Sequence, residues 1–156
     1  MEYIDKKITF ISHHPSKNTL KLTNSISNVI NDYNLKIKLE IVSPLKINSS
    51  QILQSSGVII GTIENFGYIA GATKDFFDRC YNDLFEKTEG LPVFYFIRAR
   101  FDGEGSKIAL NKLLVGLKWK QVLEPIILKG NWKDEFIDQV TEACLNFAIG
   151  VEGGIY

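Results

Sequence analysis

This chain of 156 residues is poor in the features that would point to several common functions. It has two cysteines, Cys80 and Cys144, and both fall in amphipathic helical patterns, away from loops and from metal-ligand spacing. They read as reduced thiols, with no disulfide framework. It has no excess of charge, because 18 Lys and Arg balance 18 Asp and Glu, so no overall field points to nucleic acid or to an anionic membrane surface. Any partner must be recognised locally. No apolar run approaches the ~20 residues that span a bilayer. Met1 to Lys7 lead directly into a strand and lack the apolar core of a signal peptide, so a cytoplasmic protein is the expectation. The two histidines, His13 and His14, lack Asp or Glu partners at ligand spacing, and no metal site is expected.

What is present suits one globular domain over residues 1–156. The composition, 45% hydrophobic and 12% aromatic, is ordinary for a folded domain, and this length buries a core without staples. No internal repeat, linker or low-complexity segment interrupts it. Lys7 to Ile11 is a short apolar run followed by the polar loop SHHPSKNT. A helix follows, capped by Asn18 or Thr19, with Leu22, Ile26, Val29, Ile30 and Tyr33 on one face. Lys36 to Val42 alternates charge and hydrophobe as an edge strand with one wet face does. Ser49 to Ser55 forms a short helix, and Val58 to Ile60 is apolar throughout, as in a strand covered on both faces.

The pattern then repeats. After Gly61-Thr62 comes a glycine-punctuated loop and a helix carrying Phe76, Phe77, Cys80, Tyr81, Leu84 and Phe85. Leu91 to Ile97 is a further central strand, and the loop Arg98 to Ser106 leads into a helix with Leu110, Leu113, Leu114 and Leu117 on one face. Gln121 to Leu128 contains Pro125, which is tolerated mainly at a sheet edge. A last helix spans Trp132 to Ala148. Trp119 and Trp132 read as packing residues. Five strands alternating with helices imply a three-layer α/β fold, a parallel sheet with helices on both faces. The two edge signals, on the second and fifth strands, select the order 2-1-3-4-5, with a switch point between strands one and three.

Ligands of such sheets bind beyond the carboxyl ends of the strands at the switch point. Three loops meet there, Ser12 to Thr19, Thr62 to Gly71 and Arg98 to Ser106. The first sets Ser16, Lys17, Asn18 and Thr19 at a helix N-terminus, where amides and the helix dipole favour a phosphate. Helix capping alone is the plainer reading, and it needs only Asn18 or Thr19. Other chemistries on this topology lack their residues. SHHPSKNT has no glycine for a dinucleotide G-x-G-x-x-G, no aspartate for a phospho-acceptor and no cysteine for a low-molecular-weight phosphatase.

HPSKNTLKL resembles the S-R-T-G-N-T phosphate loop of the flavodoxin-like FMN proteins, with His14 at the usual serine and Lys17 at the usual glycine. GTIENFGYIAGATKDFFDR is similar to their G-T-P-x-x-F-G-x-x-A/S-G-x-x-K-x-F-x-D-R signature, and the similarity runs over nearly the whole chain. The resemblance implies that Ser16, Asn18 and Thr19 hold the FMN phosphate, with His14 and Lys17 beside them. It implies that Thr62, Glu64, Asn65, Phe66, Gly67 and Tyr68 line the isoalloxazine ring. Asp102 and Gly103 fall where the family's third loop meets the ring, with Arg98, Arg100 and Phe101 as weaker candidates.

The resemblance further implies a redox function in which the flavin carries the chemistry and no side chain is a catalytic nucleophile. One expectation is an NAD(P)H-dependent oxidoreductase, taking electrons from NADPH or NADH and passing them to quinones or similar small acceptors. Another is a flavodoxin-type carrier serving a redox partner protein. The balanced charge departs from the acidic composition typical of such carriers. A third is a degenerate binding module that has lost FMN. The reductases of this family often place the flavin near a subunit interface, so the resemblance also implies a homodimer as an expectation.

Overall fold

In the computed structural model, which describes residues 6–156, the chain runs β1 (Lys6–Ser12), α1 (Lys17–Asp32), β2 (Ile37–Val42), α2 (Ser49–Leu53), β3 (Gly57–Asn65), β4 (Tyr68–Ile69) and α3 (Gly71–Leu84). It continues through β5 (Pro92–Ala99), α4 (Glu104–Gly116), β6 (Lys120–Gln121), β7 (Ile126–Lys129) and α5 (Glu135–Glu152). The leaderless reading of Met1 to Asp5 lies outside the described residues. Among those described, no helix is long and apolar enough to cross a membrane.

Strand periodicity sorts the core into two layers. Ile8, Phe10, Ile59, Phe94 and Phe96 point to the face covered by α1 and α5, through Leu22, Ile26, Val140 and Phe147. Ile11, Val58, Ile60, Val93, Tyr95 and Ile97 point to the other, covered by α3 and α4 through Phe76, Phe77, Leu110 and Leu114. Each such side chain, fully buried, contributes about 1.5–3 kcal/mol of transfer free energy. The pairings β2-β1-β3-β5 are parallel, and β6 and β7 both pair with β5, so the sheet has the order and the helix-covered faces expected of it.

Several local expectations are corrected. The fifth strand is broken, with β6 and β7 pairing opposite ends of β5 around Pro125, which has no amide hydrogen to give. The first helix starts at Lys17 with Ser16 as its cap, earlier than Asn18 or Thr19. The last helix begins at Glu135 instead of Trp132 and runs on to Glu152. On β2 the alternation is imperfect. Ile41 is exposed, while Glu40 turns inward to an ion pair with Lys7 at 2.5 Å. Both cysteines are buried and free, and burial pushes the Cys144 thiol far up its pKa range, into an inert form.

Candidate functional site

β1 ends at the switch point, where the His13 amide donates to the Gly61 carbonyl at 2.9 Å and prolongs the register with β3. The chain then turns through Pro15 into α1. Ser16 takes extended angles, and its hydroxyl accepts from the Thr19 amide at 3.2 Å while the Thr19 hydroxyl accepts from the Ser16 amide at 3.0 Å. This reciprocal cap uses two of the orphan donors of the first turn. The amides of Lys17 and Asn18 meet no acceptor among the described residues. They remain available to an anion, with the helix dipole behind them.

Behind this turn a polar relay braces it. Thr23 Oγ1 donates to the Thr19 carbonyl at 3.2 Å, Ser12 Oγ lies 2.7 Å from Thr23 Oγ1, and His14 Nδ1 lies 2.9 Å from Ser12 Oγ. Each hydroxyl has one proton. Thr23 spends its proton on the carbonyl, so Ser12 donates to Thr23 and His14 Nδ1–H donates to Ser12.

The segment expected as a ligand-sized loop is instead a β-hairpin. β3 continues to Asn65, and β4 folds back on it with Glu64 opposite Ile69 and Asn65 opposite Tyr68. The two turn residues, Phe66 and Gly67, have φ of 51° and 69°, the signs of a type I′ turn. Phe66 stands wholly in solvent, and Tyr68 is 56% exposed. The hairpin is clamped from the side by α4, whose Ser106 hydroxyl donates to the Tyr68 carbonyl at 2.8 Å. Thr62, by contrast, is buried, its hydroxyl 2.6 Å from that of Thr73 on α3.

The third loop is held by Glu64. Its carboxylate accepts from the amides of Phe101 at 3.3 Å and Gly103 at 2.8 Å. Asp102 accepts from the Glu104 amide at 3.1 Å and so caps α4. Gly103 is left-handed at φ 70°, and a Cβ there would lie 2.6 Å from Ile127 Cγ2. Arg98 folds back on the sheet edge and donates to the carbonyls of Ala99, Leu128 and Gly130 at 2.7, 2.9 and 2.6 Å. Its guanidinium sits 5.2 Å over the Phe136 ring, and burial lowers its pKa.

Between the first and third loops opens a cleft of about 440 Å³ lined by Pro15, Ser16, Asn18, Thr19, Ile63, Glu64, Arg98 and Arg100. It therefore brings together six of the residues singled out in the sequence, Ser16, Asn18, Thr19, Glu64, Arg98 and Arg100. Lys17 is exposed on the first turn beside it, and Asn65, Phe66, Gly67 and Tyr68 form the hairpin that rises from the end of β3. Asp102 and Gly103 belong to the α4 cap, His14 to the relay, and Thr62 to the contact with α3. Pro15 and Ile63 line the cleft but carry no signal of their own in the sequence beyond adjacency to the first two loops. Arg100, like Arg98, lines the cleft.

No protein-family model and no curated protein sequence matches the chain. Solved structures do. Flavodoxin 1 from Bacillus cereus superposes with a TM-score of 0.70 at 22% identity, over 94% of this chain and 97% of that one. The fold is flavodoxin-like. The apo form of an NADH:FMN oxidoreductase matches with a TM-score of 0.71 at 14% identity, over 93% of this chain and 89% of its own. Rubredoxin oxygen:oxidoreductase from the anaerobe Desulfovibrio gigas reaches 0.76 at 14% identity, and there 97% of this chain corresponds to only 38% of the longer protein. The flavodoxin-like fold thus occurs both as a whole chain and as part of a larger one. In this flavodoxin-like chain the cleft lies beyond the carboxyl ends of β1 and β3, the switch point where open parallel sheets hold ligands.

Proposed function

We propose that the protein binds FMN without a covalent link and acts as a redox protein, an NAD(P)H-dependent oxidoreductase of quinones or similar small acceptors. The observation that carries this reading is the cleft itself. Its volume suits one nucleotide-sized ligand, and one of its walls is the first turn of α1, where two amides meet no acceptor among the described residues. When bound, FMN supplies the hydride or single-electron chemistry, and the protein supplies binding, orientation and the charge around the ring.

The chain's own residues divide that work. Ser16, Asn18, Thr19 and the amides of Lys17 and Asn18 fit a phosphate, and the capping hydroxyl of Ser16, exposed to solvent, can turn to it. Glu64 fits the ring side of the cleft indirectly, by fixing the backbone of Phe101 and Gly103. Phe66 and Tyr68, on the hairpin beyond Glu64, offer exposed aromatic faces. The balanced net charge favours an enzyme over an acidic carrier.

A second reading, a degenerate module without FMN, is favoured by the Ser16–Thr19 cap, which already occupies both hydroxyls. One titration separates the two. Apo protein titrated with FMN should quench flavin fluorescence with a dissociation constant in the micromolar range or below, and no binding there rules out the redox reading. If FMN binds, NADPH or NADH oxidation with a quinone acceptor should show turnover. A bound flavin without turnover makes the protein a carrier.

A further inference from the structure

Three charged side chains line the cleft, and two of them are already engaged. Glu64 directs its carboxylate to the amides of Phe101 and Gly103. Arg98 spends its fork on three carbonyls at the edge of the sheet. Arg100 differs. It is exposed, it lines the same volume as Ser16, Asn18 and Thr19, and its guanidinium has no acceptor among the described residues. A guanidinium presents five donors in a rigid fork, always charged, and none of its capacity is taken up among the described residues.

The size of the cleft limits what Arg100 can face. About 440 Å³ holds one ligand of nucleotide size, so the first turn of α1 and Arg100 confront the same molecule from two walls. Resting on the flavin reading above, we propose that Arg100 is the specificity-determining residue of the cleft, selecting negative charge on the bound flavin nucleotide. That charge has two sources, the phosphate monoester and the charge the ring gains on reduction. A sequence motif cannot single this residue out, since Arg98 and Arg100 look alike until Leu128 and Gly130, far along the chain, claim one of them.

The test compares wild type with Arg100→Gln and Arg100→Lys, after thermal melts establish that both variants fold. FMN and riboflavin are titrated into each, and the midpoint potential of bound flavin is measured. A loss of about tenfold in FMN affinity with riboflavin changed less than about threefold assigns the charge to the phosphate, at the strength of a hydrogen bond to a charged group. Unchanged affinities with a potential lowered by about 30 mV, tenfold for a two-electron couple, assign it to the ring. Arg100→Lys, which keeps the charge, should retain most of the wild-type affinity and potential. Equal weakening of both flavins at an unchanged potential, or no change at all, overturns the proposal. Should Arg100→Gln fail to fold, either wild-type FMN affinity must fall with salt more steeply than riboflavin affinity or the midpoint potential of the bound flavin must fall with salt, and parallel affinity curves at a salt-independent potential overturn the proposal. If wild type binds neither flavin, the functional reading fails separately. Inorganic phosphate then tests Arg100 by itself, weaker binding to Arg100→Gln supporting the assignment and equal or absent binding refuting it.

Discussion

At the residue scale the first loop is governed by where single protons go. The relay from His14 through Ser12 and Thr23 to the Thr19 carbonyl has one consistent polarity, which requires the neutral His14 ring to carry its hydrogen on Nδ1. Long-range nitrogen–proton NMR spectra should show a protonated Nδ1 and a bare Nε2, and the opposite tautomer would break the relay. His13 behaves differently, because burial, with His14 beside it, pushes its pKa below the usual 6.5. The unfolded chain then binds more protons than the native one as pH falls below 6.5, so this residue makes stability decline with acidity in that window. Urea melts from about pH 7 to about pH 5 should show a steeper loss in wild type than in His13→Gln. Parallel slopes would mean that His13 titrates alike in both states.

At the scale of elements, the hairpin and α4 depend on one glycine. A Cβ on Gly105 would lie 1.8 Å from the Gly67 carbonyl oxygen, and that obstacle is backbone, unable to step aside as a flexible side chain does. Gly105→Ala should therefore lift the hairpin off α4 at a cost of about 1–3 kcal/mol, the range of overpacking. Gly71→Ala is the control, since nothing lies within 4 Å of the added carbon and a helix position gains from alanine. Chemical denaturation that finds the two variants equally stable would contradict the clamp.

This hairpin also shows what a sequence conceals. Alternation, apolar runs and the edge signals were enough to order the strands, because side-chain period alone decides which face is buried. The turn was not legible: type I′ hairpins announce themselves with Asn-Gly or Asp-Gly, and here Phe66 takes the left-handed position before Gly67. The start of α1 is hidden in the sequence for a related reason. Its box pairs Ser16 with Thr19, where glutamate or glutamine is the recognisable third-position partner. Glu64 reads from sequence as a ring contact, whereas its bonds to Phe101 and Gly103 depend on a sheet register that brings distant residues together.

At the scale of the whole molecule the cleft joins parts that the sheet keeps apart. α1 belongs to one helical layer and α4, which grips the hairpin, to the other, while Ile63 and Arg100 extend from the two central strands between them. A ligand spanning the cleft therefore ties both layers to the sheet, and its binding energy enters the global unfolding equilibrium. FMN held at about 100 times its dissociation constant should stabilise the fold by about 2.7 kcal/mol. For a chain of this size that is a rise of roughly 5–11 °C in melting temperature. Amide exchange should slow both at the first turn of α1 and where the hairpin meets α4. Protection confined to α1 would instead describe an anion resting on a helix terminus, and the ring would then have to be sought elsewhere than between the first and third loops.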